Sequence, residues 1–190
     1  MAFDIDKFYR DGGFGYHKNQ RYWEQWCSTH IIKKEDKNHT LLDAGCGDGF
    51  WSFVLAPHFL DTMGVEISKG GIEMANIRKA RQKISNVNFK VGDALEVKEP
   101  YDVVFCRAPS FFNYPSPDEK FIEGLEKMLS ICKKRLIFVA YTKPPFGTWS
   151  AGNSSYFHHP KTVETTFKKY GNTNVKYASD SKYVIAQIQI

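Results

Sequence analysis

The four cysteines of this sequence, Cys27, Cys46, Cys106 and Cys132, stand far apart, with no Cys-x-x-Cys pair among them. That spacing argues against a disulfide framework or a structural zinc site and suits a reducing compartment. No apolar run approaches the roughly 20 residues needed to span a bilayer, which speaks against a membrane protein. The opening residues, Met1-Ala2-Phe3-Asp4, lack a basic stretch followed by an apolar one, so no signal peptide is read there and the expected location is cytoplasmic. No cluster of His, Asp or Glu has metal-ligand spacing, and no metal is expected. Repeats, low-complexity tracts and second-domain linkers are also missing. The formal net charge of +5 is scattered, with only short pairs such as Lys33-Lys34 and Lys133-Lys134. A dedicated nucleic-acid binder gathers such charge on one stripe, so this balance only keeps anionic partners possible, and a nucleic-acid partner is not expected.

What remains is a chain of 190 residues, 42% hydrophobic and 25% charged, the profile of one globular domain covering 1–190. Its organising stretch is Leu41-Leu-Asp-Ala-Gly-Cys-Gly-Asp-Gly-Phe-Trp-Ser52. A buried strand that runs into Asp-x-Gly-x-Gly-x-Gly and then a helix makes a nucleotide-binding corner. The glycines allow positive φ and let a ligand approach the backbone.

Before that corner, residues 1–18 read as irregular, with Phe3, Phe8, Tyr9, Phe14 and Tyr16 around Gly12-Gly13-Phe14-Gly15. They are either a frayed terminus or a lid hinged on its glycines. Tyr22, Trp23, Trp26, Cys27, His30 and Ile31 fall at helical spacing and predict a helix over 19–34. His30 on that face reads as a packed core residue.

Beyond the corner, strand and helix alternate. Helices are predicted at 50–60 and 71–84, the second with Ile72, Ala75, Ile77, Ala80 and Ile84 inward and Arg78, Lys79, Arg81 and Lys83 solvated. Strands are predicted at 62–67, 86–91, 101–106 and 136–141. Ser116 with Pro117 and Glu119 predicts a capping box for a helix whose core face includes Phe121, Ile122, Leu125, Met128, Leu129 and Cys132. A helix over 160–170 ends at Gly171, and strands at 174–178 and 182–190 flank the short turn 179–181, so those two must be antiparallel. The expected fold is α/β: a doubly wound, Rossmann-like sheet of seven strands, mostly parallel, with an antiparallel last strand. Within it, 1–38 form the N-terminal lid and helix, 39–142 the cofactor-binding half, and 143–190 the substrate loop, helix and terminal hairpin.

In such sheets the ligand lies at the carboxyl ends of the strands. Asp43, Glu66 and Asp93 fall at three of those ends, and Glu66 follows Asp43 by the distance at which an acid accepts from ribose hydroxyls. An adenosine-type ligand fits that set. A nicotinamide enzyme would want Gly-x-Gly-x-x-Gly, which the spacing of Gly49 does not supply.

Asp-Ala-Gly-Cys-Gly-Asp-Gly, the later Val-Glu-Ile-Ser and Val-Gly-Asp-Ala, and Tyr-Asp-Val-Val-Phe-Cys together resemble the class I S-adenosylmethionine-dependent methyltransferases. The resemblance is greatest to the small single-domain enzymes that act on metabolites. It implies S-adenosyl-L-methionine as cofactor. Asp43, Ala44, Gly45, Cys46 and Gly47 would then hold the methionine end, Glu66 both ribose hydroxyls and Ile67 one adenine face. Asp93 and Ala94 would meet the adenine edge, with Cys106 and Arg107 bordering the methionine part and the sulfonium.

The acceptor is expected to be a small, partly apolar or aromatic molecule. Residues 108–115 and 141–159, with Phe146, Trp149, Tyr156 and Phe157, supply either its pocket or a satellite core. Arg107-Ala-Pro-Ser110 replaces the Asn/Asp-Pro-Pro-Tyr/Phe of enzymes that methylate nucleobase amino groups or glutamine, which counts against those acceptors. His158 and His159 are candidate bases that could equally cap the helix opened by Pro160, and Tyr9 is a further candidate. A protein or RNA methyltransferase, or a non-catalytic S-adenosylmethionine-binding module, is the alternative. The oligomeric state is left open.

Overall fold

In the computed structural model, residues 4–112, 118–142, 158–178 and 182–190 are described. Seven strands form a mixed, mostly parallel sheet in which the last strand is reversed. That is the expected seven-stranded, Rossmann-like α/β class. The contacts divide the chain into two compact units, Met1–Val97 and Lys98–Ile190.

In the first unit, β1 (Thr40–Ala44), β2 (Asp61–Glu66) and β3 (Val87–Val91) pair in parallel, Ala44 beside Val65 and Glu66 beside Val91. This register puts the three carboxyl ends side by side. The N-terminal segment is not irregular. Asp4 accepts from the Lys7 amide and starts α1 (Ile5–Arg10), which buries Tyr9. A frayed terminus is thereby overturned for the described residues, because aromatic burial and a capped first turn hold the helix.

Helix α2 (Gln20–His30) is shorter than the predicted 19–34. Its last turn closes when the Ile31 and Ile32 amides both donate to the Cys27 carbonyl. Trp23, Trp26 and Cys27 are buried as expected, whereas Tyr22 stands 50% exposed. The apolar face is therefore narrower than the pattern suggested. Helix α3 (Phe50–Leu55) gives way to a 3₁₀ turn at Ala56–His58.

Helix α4 (Lys69–Gln82) starts two residues earlier than predicted, since Ser68 accepts from the Gly71 amide as its N-cap. Ile72 and Ala75 face inward, but Ile77 and Ala80 are exposed. Arg78, read as solvated, is half-buried and bonded to Asp48.

In the second unit, β4 (Tyr101–Arg107) runs parallel to β5 (Cys132–Tyr141), and β7 (Tyr183–Gln189) pairs antiparallel with β5 and with β6 (Asn172–Ala178). Helix α5 (Glu119–Ser130) is capped by Asp118, which accepts from the Lys120 amide. The predicted cap, Ser116, and Pro117 lie outside the described residues. Cys132 belongs to β5, not to the α5 face, because the helix ends at Ser130 and the strand starts four residues earlier than expected.

Helix α6 (Pro160–Phe167) continues as a 3₁₀ turn to Tyr170 before Gly171 at φ 137°. Phe112, Phe121, Phe138 and Phe167 form the aromatic centre of this unit, with ring centroids 4.9–6.1 Å apart. Phe112, expected in an acceptor pocket or a satellite core, is core. The loop aromatics Phe146, Trp149, Tyr156 and Phe157 and the turn 179–181 lie outside the described residues.

Candidate functional site

Strand β1 delivers Asp43 and Ala44, both buried, into a turn where Gly45, Gly47 and Gly49 take φ of 75°, 58° and 77°. Side-chain-bearing residues rarely adopt that region. Two of these glycines are also needed for space. A Cβ on Gly47 would lie 2.7 Å from the Tyr9 Oη, and one on Gly49 would meet the Phe89 ring at 2.7 Å. The turn passes directly into α3, whose Ser52 hydroxyl donates to the Asp43 carboxylate at 2.6 Å.

At the end of β2 the Glu66 carboxylate is buried, and two backbone amides hold it. Gly47 donates to Oε2 at 3.1 Å and Ser68 to Oε1 at 3.0 Å. A carboxylate has about four acceptor positions, so each oxygen keeps capacity for a ligand hydroxyl. Next to it, Ile67 is 57% exposed, an apolar side chain left facing out at the rim of the strand ends.

Beyond β3, Asp93 is exposed and accepts from the Leu95 amide at 2.9 Å, which starts a 3₁₀ turn on the buried Ala94. The register of β1, β2 and β3 thus brings Asp43, Ala44, Gly45, Cys46, Gly47, Glu66, Ile67, Asp93 and Ala94 to one edge of the first unit. Burial, followed by the charges of Asp43, Glu66 and Asp48, pushes the Cys46 thiol well up. The thiolate form of Cys46 is thus disfavoured.

Three arrangements here had no counterpart in the sequence reading. The Asp48 carboxylate lies 2.7 Å from Arg78 Nη1 and 3.4 Å from His17 Nε2. Burial pushes its pKa up, but the bonds from His17 and Arg78 outweigh this and hold it below the usual carboxylate value. The Asp6 carboxylate accepts from the Ser68 hydroxyl at 2.6 Å and the Gly70 amide at 3.0 Å, which seats α1 on the start of α4. Gly70 has no room for a side chain, since its Cβ would strike the Asp6 backbone. Finally, Tyr9 is held between Gly47 and Gly71. Burial, then the Glu66 and Asp48 charges, pushes its phenol far up, so Tyr9 can donate a hydrogen bond but cannot act as a base near neutrality. The only advance signal was the spacing of aromatics and glycines in the first 18 residues.

In the second unit, Cys106 is fully buried in β4 and Arg107 ends that strand. Arg107 Nη2 donates to the Tyr141 hydroxyl at 2.6 Å, and the guanidinium carbon stands 5.1 Å from the Tyr141 ring and 5.9 Å from that of Tyr183. His158 is packed among Phe121 and Phe138 with its Nε2 2.9 Å from the Phe112 carbonyl. A carbonyl only accepts, so Nε2 carries the proton, and Nδ1 is left buried without a hydrogen-bond partner among the described residues. Burial pushes the pKa of this imidazole down, against the smaller raising effect of that carbonyl. His159 occupies the N-cap position of α6 with its side chain exposed and making no capping bond. Among the described residues no group of three or more His, Cys, Asp or Glu is placed to hold a metal ion.

Comparison with known proteins matches residues 35–181 to the family described as "Methyltransferase domain". A tRNA (uracil(54)-C(5))-methyltransferase of Schizosaccharomyces pombe is 34% identical over 74 residues, 39% of this chain and 14% of the relative. The chain spans between 14% and 59% of the length of four curated relatives that it matches.

Among solved structures, a SAM-dependent methyltransferase from Aquifex aeolicus superposes with a TM-score of 0.70 at 14% identity, covering 100% of both chains. Magnesium protoporphyrin IX methyltransferase from Synechocystis with bound SAM gives 0.66 at 18%, covering 99% of this chain and 98% of that one. These likenesses establish the fold. With the family match extending over residues 35–181, most of the chain, the protein belongs to the methyltransferase-domain family.

Proposed function

We propose that this chain transfers the methyl group of S-adenosylmethionine to a small acceptor. The observation that carries the reading is Glu66, a buried carboxylate fixed by two backbone amides at the end of β2, with Ile67 exposed beside it. A carboxylate oriented in this way accepts a pair of vicinal hydroxyls, and the exposed isoleucine offers an apolar face to a purine. The Cβ-less turn at Gly45 and Gly47 and the carboxylate of Asp43 suit the amino acid end, whose ammonium needs acceptors. Asp93 and the Ala94 amide suit the adenine edge.

Bound there, S-adenosylmethionine supplies a methyl carbon already activated by its positive sulfur. The protein's share is alignment, and correct orientation of reactants is worth on the order of 7–11 kcal/mol. Tyr9, kept protonated, acts as a donor, and the glycine-flanked α1 segment is the lid over the turn. Of the two histidines, His159 takes the proton of an acceptor that arrives protonated, since its side chain is exposed. His158 is assigned to packing.

An RNA acceptor is the second reading, supported by the name of the yeast relative. The two separate on whether labelled methyl passes a size filter when the protein acts on cell extract.

Calorimetry with S-adenosylmethionine and S-adenosylhomocysteine tests the core of the proposal. Binding of both is expected, and Glu66→Ala should weaken it by removing charge-assisted bonds worth about 1.5–3 kcal/mol each. Absence of binding to either compound would sink the assignment. Unchanged affinity in Glu66→Ala would remove its ribose role.

A further inference from the structure

We propose that Asp6 and Tyr9 are positioning residues for the Glu66 carboxylate, so that helix α1 sets how this acid meets the vicinal hydroxyls of its ligand. The inference deepens the methyl-transfer reading and rests on it. The amides of Ser68 and Gly47 hold the Glu66 carboxylate, and α1 touches both residues that supply them.

Asp6 secures the first. Its Oδ1 accepts from the Ser68 hydroxyl at 2.6 Å and from the Gly70 amide at 3.0 Å. The same hydroxyl accepts from the Gly71 amide at 2.9 Å. Donating and accepting at once, the buried Ser68 side chain is held in one orientation. Bonds from Ser68, then from Gly70, keep the Asp6 carboxyl below its ordinary value, so it is ionised near neutrality and its bonds are charge-assisted. Since the Ser68 amide donates to Glu66 Oε1 at 3.0 Å, this one residue carries the hold of Asp6 to the site acid.

Tyr9 secures the second. It follows Asp6 by three residues on α1, which puts both side chains on one face of the helix, and it is 7% exposed. A Cβ on Gly47 would stand 2.7 Å from the Tyr9 Oη and 3.0 Å from its ring. One on Gly71 would stand 3.2 Å from that ring and 2.8 Å from the Gly47 carbonyl oxygen. The phenol, the glycine turn and the first turn of α4 are therefore in direct contact. Gly47 donates to Glu66 Oε2 at 3.1 Å, so Tyr9 packs against the residue that fixes the other oxygen.

Gly70 gives an independent sign that this seat is built for close approach. Its Cβ would fall 2.4 Å from the Asp6 carbonyl oxygen and 2.8 Å from the Asp6 Cα. Neither Gly70 nor Gly71 takes positive φ, so the backbone does not require glycine there. Space for Asp6 and Tyr9 does. A carboxylate accepts two neighbouring hydroxyls only while both of its oxygens keep their direction. Loosening α1 therefore costs recognition of the diol more than recognition of the rest of the ligand.

The experiment compares S-adenosylhomocysteine with its 2′-deoxy analogue by calorimetry, in the native chain and in Asp6→Ala, Asp6→Asn and Gly70→Ala. The native chain is expected to prefer the diol by about tenfold or more, the worth of one charge-assisted bond. Asp6→Ala should cut that preference severalfold by removing the acceptor, and Gly70→Ala by displacing α1. Asp6→Asn keeps an oxygen for Ser68 and should retain most of it. A helix that merely lent stability would weaken both ligands equally. An unchanged ratio in Asp6→Ala and Gly70→Ala, or no diol preference in the native chain, overturns the proposal.

Amide hydrogen exchange read by NMR tests the bracing without a ligand. Ser68 and Gly47 should exchange faster in Asp6→Ala, and unchanged exchange at both overturns the bracing. Thermal melts verify folding, and should Asp6→Ala fail to fold, Gly70→Ala decides, since it keeps every hydrogen-bonding group. If S-adenosylhomocysteine binds and every variant keeps the native preference, only the positioning role falls. If it does not bind the native chain, the methyl-transfer reading falls, and the diol assignment with it.

Discussion

The glycine turn of Met1–Val97 and the histidine pocket of Lys98–Ile190 both bury titratable groups, and they hold them by different means. Around the turn, each buried acid has polar partners: Asp43 the Ser52 hydroxyl, Glu66 two amides, Asp48 a guanidinium and an imidazole. In the pocket, His158 has one carbonyl and otherwise phenylalanine rings, with Nδ1 left in apolar surroundings. The first arrangement supplies each carboxylate with hydrogen-bond donors and holds Asp48 below its usual value. The second suppresses a charge and uses the ring as packing. Burial alone therefore does not mark a functional group. What decides is whether the neighbours stabilise its charged form or its neutral one.

Phe138 is fully buried and touches Phe112, Phe121, Phe167 and His158. Phe138→Ala should cost about 3–5 kcal/mol in urea unfolding, and a loss below about 1 kcal/mol would mean the aromatic cluster does not hold the unit together.

In the polar half, Arg78→Met leaves the Asp48 carboxylate with the more distant His17 imidazole and Phe50 amide. Breaking a buried pair in this way costs about 3–5 kcal/mol, and His17 keeps the expected loss near the lower end. Because the Asp48 pKa is depressed in the folded state, its contribution is present above the ordinary carboxylate value of 3.8 and is lost as pH falls through the lower folded value. Melts of Arg78→Met across pH 3 to 6 should show a shallower loss of stability toward acid than the wild type, because without the guanidinium the folded value of Asp48 lies closer to the unfolded one. An unchanged acid profile would show that the ion pair is not what depresses Asp48.

The smallest effect sharpens the contrast in sign. The pKa of His158 is also lowered, but here the favoured form is neutral. Below the ordinary value of 6.5 the unfolded chain binds a proton that the folded chain refuses, so stability is full above that pH and declines beneath it. That decline ends once the pH passes below the lower folded value. His158→Gln, which keeps a donor for the Phe112 carbonyl, should flatten it. An identical slope between pH 5 and 7 in both proteins would assign the dependence to other groups.

The sequence by itself determined the alternation of strands and helices, the reversed last strand, and the acids at the ends of β1, β2 and after β3. These rest on local rules: apolar runs, glycines that permit positive φ, and fixed distances along a βαβ unit. It also indicated the glycines at 45, 47 and 49, although the spatial need at 47 and 49 comes from Tyr9 and Phe89, which lie far away in sequence.

Tertiary structure alone decided that Arg78 turns inward to Asp48, that Asp6 anchors α1 on Ser68 and Gly70, that His158 is packed, and that Arg107 lies over Tyr141 and Tyr183. The physical reason is the same in each case. A charged or aromatic side chain at helical or strand spacing has an exposed and a buried future of nearly equal local cost. Only a partner that the fold brings from 30 to 76 positions away chooses between them.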